Sequence, residues 1–179
     1  MTRDQAVAAL CVWARINDII GVVSGRIEEY TGRALAIRGA TVHARPAVAA
    51  VRERRFGDGI GYAAGMAEWY ERRAGYMREV ARSAAGLARM VDECVGADEG
   101  TRRALRERGR GRGNWTAVGA VCGVNPEAAR RAYVAALRML VKRAWTEKED
   151  RVVGFALRYV WGGSMPRELR PAARVASAG

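Results

Sequence analysis

Residues 114–150 read NWTAVGAVCGVNPEAARRAYVAALRMLVKRAWTEKED, and the punctuation of this stretch decides how the chain is to be folded. Asn114 has the side chain of an N-cap for a helix opening at Trp115. Gly123 supplies the left-handed residue that ends that helix about two turns later. Asn125 followed by Pro126 restarts a second helix, because proline fits the first helical turn, where its missing N–H costs nothing. The spacing predicts that Ala128, Ala129, Ala132 and Tyr133 face the first helix while Glu127, Arg130 and Arg131 point outward. Two short helices around a tight glycine turn fit a helix-turn-helix that enters a major groove; an amphipathic helical hairpin with no DNA role would show the same alanines, and the basic outer face favours the first reading.

Charge concentrates in the same part of the chain. Residues 1–100 hold 14 Lys+Arg and 13 Asp+Glu, an excess of +1, whereas residues 101–179 hold 17 and 6, an excess of +11. Arginine outnumbers lysine 29 to 2, so compositional bias explains the residue type but not its asymmetric placement. A like-sign concentration of this kind attracts a polyanion and releases its counterions on binding. RGRGRGN at 108–114 alternates arginine with glycine, and the expectation is either a basic loop whose Arg108, Arg110 and Arg112 are free to reach phosphates or a minor groove, or a flexible inter-helix loop whose charge keeps it solvated.

Several function classes drop out. Cys11, Cys94 and Cys122 are an odd number set far apart in apolar helical surroundings, which reads as buried free thiols. His43 is the single histidine, so no metal-ligand spacing and no cofactor are expected, and with no clustered nucleophile, base or metal set the chain reads as a non-enzyme. Apolar runs are broken by charge well before the roughly 20 residues that span a bilayer, and MTRDQAVAAL has no leader pattern, so the expectation is an intracellular protein without a membrane partner.

Upstream, the chain reads as all-α. Val7, Leu10, Cys11, Ala14, Ile19, Ile20, Val23 and Ile27 give one long or two short helices over 4–30. The signal weakens over 31–46, where an extended segment or loop competes with helix; Pro46 then suits the start of a helix to about Phe56, and GDGIG at 57–61 marks a break. Met66, Tyr70, Arg73, Met77, Val80, Ala84, Leu87, Val91 and Cys94 alternate steps of four and three, the seam of a helix packed along its whole length. That helix, 66–94, serves either a homodimer or protein partner, or packing within the chain's own bundle. VGADEG then offers an acidic start for a helix through Arg108.

The second half resembles two tandem repeats of the Myb/SANT family over about 95–179. Asp98 and Glu99 resemble the acidic residues of the family's first helix, GRGRGNW ending at Trp115 the approach to its central tryptophan, and EAARRAY ending at Tyr133 its recognition helix. Trp145-Thr146-Glu147-Lys148-Glu149-Asp150 is similar to the opening of a second repeat, and LRMLVKRAW to the basic linker between repeats. Val95 stands near the place of the first tryptophan, Trp161 arrives early, and the second repeat is partial. WTEKED also fits a plain capping arrangement, with Thr146 answered by Glu149.

The expected organisation is therefore a helical bundle over 1–95, a first helix-turn-helix (Myb-like) unit over 96–143 and a second, partial one over 144–179. The expected partner is double-stranded DNA, with helix 126–140 reading the major groove, and the resemblance implies a transcription regulator of the nucleus; otherwise the compartment is cytoplasm or nucleoid. The candidate nucleic-acid-binding residues are Arg108, Arg110, Arg112, Asn125, Glu127, Arg130, Arg131, Lys142, Arg143, Arg167 and Arg170. Arg130 and Arg131 are the candidates for guanine readout, and the loop, linker and C-terminal cations for phosphates. Two other readings fit the same residues: a prokaryotic or viral helix-turn-helix repressor or DNA-packaging subunit that oligomerises through 66–94, and a structural protein coating RNA or ribonucleoprotein.

Overall fold

The computed structural model describes residues 1–48, 57–96, 98–111 and 113–162, and these form helices without a strand. Their order is α1 (Arg3–Ala14), α2 (Ile16–Val48), α3 (Gly57–Val95), α4 (Glu99–Gly109), α5 (Trp115–Cys122), α6 (Pro126–Val141) and α7 (Glu147–Tyr159). The fold is all-α, as its periodicity predicts.

Boundaries depart from expectation where local signals are weak. The stretch 31–46 is helical and α2 continues to Val48, with Pro46 in its last turn rather than opening a new helix. Most of the helix expected to run to Phe56 lies outside the described residues. GDGIG does not break the chain; it forms the beginning of α3. Glycine costs a helix only about 1 kcal/mol per residue, a penalty that packing overrides.

The chain divides into two compact units, Met1–Ile20 with the chain from Val80 onward, and Gly21–Glu79. This differs from a division at 95 and at 143, and α1 is the reason. Every residue from Ala6 to Ala14 is buried, so beyond its exposed first turn the helix has no solvent face, and a helix segment apolar all round must sit inside a core. It packs against α4, α6 and α7. From α6 come the buried Ala136, Leu137 and Leu140, and from α7 Val152, Phe155 and Ala156. A Cβ on Gly109 of α4 would lie 2.7 Å from the Ala14 Cβ and 3.1 Å from the Leu10 carbonyl, so only glycine permits this approach. The Trp13 indole N–H donates to Asp92 at 2.9 Å, Arg102 pairs with the same carboxylate, and the Arg106 guanidinium lies 4.7 Å over the Trp13 ring. The first helix is thus the core of the basic unit.

In the Gly21–Glu79 unit, α2 and α3 bury Val23, Ala34, Ala67, Ala74 and Met77. Arg33 donates to the Tyr70 hydroxyl at 3.2 Å and Arg38 pairs with Glu71 at 2.8 Å. These contacts explain the helicity of 31–40, which the local pattern alone does not specify. The heptad seam of α3 is buried at Met77, Val80, Ala84, Leu87, Val91 and Cys94, which is packing within the chain, while Arg73, its one charged member, is exposed. No single helix among the described residues is long and apolar enough to cross a membrane.

Leu10 is 1 % exposed, and Leu10→Ala is expected to lower unfolding free energy by about 3 kcal/mol through lost burial and the cavity left behind. Urea denaturation followed by hydrogen exchange should report reduced protection in α4, α6 and α7 together; protection unchanged in α6 would mean that 96–143 stands without α1.

Candidate nucleic-acid interface

Three helices build the candidate interface, and each begins on a side-chain cap. Asp98 accepts from the Thr101 N–H at 2.7 Å to open α4. The Asn114 Oδ1 accepts from the Ala117 N–H at 2.9 Å to open α5. The Asn125 Oδ1 accepts from the N–H groups of Glu127 and Ala128, at 2.9 and 3.2 Å, to open α6. Each bond satisfies donors that a helix start leaves without partners.

The turn joining α5 to α6 is three residues, Gly123-Val124-Asn125. Gly123 is left-handed, with φ 66° and ψ 29°, and the Val124 N–H donates to the Gly119 carbonyl at 3.0 Å. A Cβ on Gly119 would lie 2.7 Å from the Pro126 Cγ and 2.8 Å from the Val124 oxygen, so the helices cross closely because position 119 carries no side chain. Ala104, Val118 and Ala129, one from each of α4, α5 and α6, form the small core, with Trp115, Cys122 and Val124 packed around it. Trp115 meets Tyr133 edge to face at 5.3 Å between centroids. The rings at positions 115 and 133 therefore touch across the α5–α6 hairpin.

The face of α6 turned away from this core carries the charge. Glu127, Arg130, Arg131, Val134, Ala135 and Arg138 line a shallow groove of about 470 Å³. Arg130 is 62 % exposed and lies 3.7 Å from Glu127, an i,i+3 pair worth only a few tenths of a kcal/mol. Arg131 and Arg138 are exposed. Ala128 is also exposed rather than packed on α5, since it lies one residue round the helix from the buried Ala129. Arg138 went unnoticed in the sequence, although its place seven and eight residues beyond Arg131 and Arg130 puts it on their face. Arg3, which joins Val134, Leu137, Val141 and Lys142 around an adjoining groove, comes from α1 and had no local signal.

Two of the loop arginines, Arg108 and Arg110, make contacts within the chain. Arg108 donates to the Gly113 carbonyl at 2.9 Å and lies 5.5 Å over the Trp115 ring. Arg110 donates to the Ala14 carbonyl at 3.1 Å and pairs with Glu107 at 3.0 Å, and Arg15 donates back to the Arg110 carbonyl at 3.2 Å. Both guanidiniums fasten the loop to α1 and Trp115 instead of reaching outward. Asn125 caps α6. Arg143 pairs with Glu93 at 3.0 Å, both side chains largely exposed, and Lys142 is exposed at the end of α6. Arg112, Arg167 and Arg170 lie outside the described residues, as does the side chain of His43.

The WTEKED opening forms a capping box. The Thr146 side chain accepts from the Lys148 N–H at 3.3 Å, Glu149 accepts from the Thr146 N–H at 2.7 Å, and the Trp145 indole donates to Asp150 at 2.7 Å. The helix it starts, α7, packs on α1 and belongs to the same unit as α4–α6. Cys11 and Cys94 are buried free thiols as expected, while Cys122 is only half-buried. No group of metal-ligating side chains gathers among the described residues.

Gly119→Ala is expected to cost about 2 kcal/mol by overpacking against Pro126, and Asn125→Ala about 1 kcal/mol by loss of a cap, both read by chemical denaturation. Hydrogen bonds from Thr101, first its side chain and then its backbone N–H, hold the Asp98 carboxyl below its ordinary 3.8. The charged form is favoured by folding, so its contribution is complete above the ordinary value and disappears as pH falls through the lowered one. A carboxyl NMR titration should place the Asp98 midpoint below those of exposed aspartates. No protein-family model, curated protein or solved structure matches this chain.

Proposed function

We propose that this protein binds double-stranded DNA through the helix-turn-helix of α5 and α6, with α6 lying in the major groove, and that it acts as a transcription regulator. The reading rests on one observation above all: Arg130, Arg131 and Arg138 form an exposed row on the face of α6 opposite its core, on a helix held rigidly by Gly119, Gly123 and the Asn125 cap. Arginine suits this role because its planar fork donates two parallel hydrogen bonds to the O6 and N7 of guanine. Lys142 and the exposed Arg143 stand at the far end of the same helix, where point charges contact phosphates without reading sequence. The excess of +11 over 101–179 favours the approach of a polyanion.

Oligomerisation through the 66–94 seam, which a packaging subunit would need, draws little support from a seam already buried at Met77, Val80, Ala84, Leu87, Val91 and Cys94. Arg110 leaves the set of DNA contacts, since its guanidinium ties the loop to α1.

Duplexes selected from a random pool by the full chain test the reading. Arg130→Ala is expected to cost about 1–3 kcal/mol on the selected sequence and far less on random duplex. Lys142→Ala should weaken both alike and lower the salt slope by about one. Equal losses on selected and random DNA for Arg130→Ala would remove its readout role, and a pool without enrichment would leave only electrostatic adhesion.

A further inference from the structure

Tyr62, Trp69 and Tyr76 follow one another at intervals of seven residues along α3. Seven residues are close to two helical turns, so the three rings lie almost in line at intervals of about 10 Å. All three face solvent, with exposures of 72 %, 38 % and 37 %. Large aromatic side chains are ordinarily buried because each removes a large apolar area from water, and a row left outside the core is the kind of surface that meets a partner.

Arg72 and Arg73 lie between the last two rings and, with Trp69 and Tyr76, line a shallow groove of about 310 Å³. The Arg73 guanidinium lies 4.9 Å over the Trp69 ring. Neither arginine has a carboxylate within ion-pair distance among the described residues, and the neighbouring Glu71 is engaged by Arg38. Trp69 is itself held in place, edge to face with Tyr70 at 4.9 Å and with Tyr30 at 6.4 Å. The patch therefore offers rings at fixed spacing together with two exposed guanidiniums, with Glu68, also exposed, one helical turn before Arg72.

We infer that the Tyr62–Trp69–Tyr76 face of α3 binds single-stranded nucleic acid, its rings stacking on bases and Arg72 and Arg73 contacting phosphates. Charge complementarity selects this occupant. Exposed rings accept the faces of unpaired bases whatever their sequence, and adjacent guanidiniums track the backbone. A second copy of the chain fits less well. A two-fold contact centred on Trp69 would set Arg72 and Arg73 against Met66 and Gly65 of the other copy, desolvating two guanidiniums with a single carboxylate, Glu68, close by in the same register. The patch lies on a different helix, and in a different unit, from the duplex-reading face of α6, so the two proposals stand or fall separately.

The test uses the full chain with a fluorescein-labelled oligothymidylate of about 15 nucleotides, within the site sizes such surfaces cover, and a duplex of equal length, read by anisotropy. Trp69→Ala should weaken oligothymidylate binding roughly tenfold and leave duplex affinity unchanged. Because Trp69 also packs on Tyr70, the double variant R72Q/R73Q gives a second arm: it keeps the Trp69–Tyr70 packing, removes the Arg73 guanidinium from over the Trp69 ring, and should lower the single-strand salt slope by about 1.4. The proposal is overturned if the wild-type chain does not bind oligothymidylate, if both variants bind it as wild type does, or if sedimentation shows Trp69→Ala dissociating a dimer while single-strand affinity stays constant. Single-strand losses alongside an Arg130→Ala variant that reads duplex normally would leave this inference standing and sink only the major-groove assignment.

Discussion

The burial of α1 is the constraint from which the basic unit follows. Nine consecutive residues, Ala6 to Ala14, are buried, so α4, α6 and α7 must each present an apolar stripe to the same cylinder. Small residues set how closely they approach: Gly109 lies against Ala14, and Ala136 and Ala156 are fully buried. Burial of this kind contributes about 1.5–3 kcal/mol for each large aliphatic side chain, enough to bind helices distant in sequence into one cooperative body. The outward placement of Arg130 and Arg131 is a consequence, because Ala129, Ala136, Leu137 and Leu140 commit the opposite face of α6 to the core.

The arginines divide into two populations that composition cannot separate. Arg102, Arg106, Arg108 and Arg110 engage Asp92, the Trp13 ring, the Gly113 carbonyl and the Ala14 carbonyl, and they act as long, planar fasteners along helix and loop edges. Such side chains bury their aliphatic stems and satisfy backbone carbonyls while keeping their charge. Arg72, Arg73, Arg130, Arg131 and Arg138 are exposed, and of these Arg130 has only a weak pair with Glu127. Of these two groups among the described residues, the second presents its charge at the surface, so net charge overstates the area of a binding surface.

The same distinction applies to the α3 helix. Its apolar seam and its exposed aromatic row adjoin on one cylinder, meeting at Arg73, which keeps the seam's spacing and lines the aromatic groove. The seam, through Met77, Val80, Ala84, Leu87, Val91 and Cys94, is consumed by packing within the chain. The aromatic row runs through Tyr62, Trp69 and Tyr76 on exposed surface. Periodicity of four and three finds the first readily. The second is sparse, three rings among charged neighbours, and emerges only once exposure separates the faces.

Sequence alone determined what depends on neighbours within a few residues. The Asn114 and Asn125 caps, the left-handed Gly123, Pro126 at the start of α6 and the Thr146–Glu149 capping box are all local hydrogen-bond or steric requirements, legible because each is met by residues two to four apart. Tertiary structure decided everything that turns on contacts between distant segments. It carried α2 through the weak 31–40 stretch by packing on α3, drew Arg108 and Arg110 inward toward Trp115 and Ala14, and set α1 at the centre of a unit otherwise made from the second half of the chain. A helix apolar on every side carries no mark of which helices will surround it, since burial is non-directional and its partners are settled only when the whole core closes.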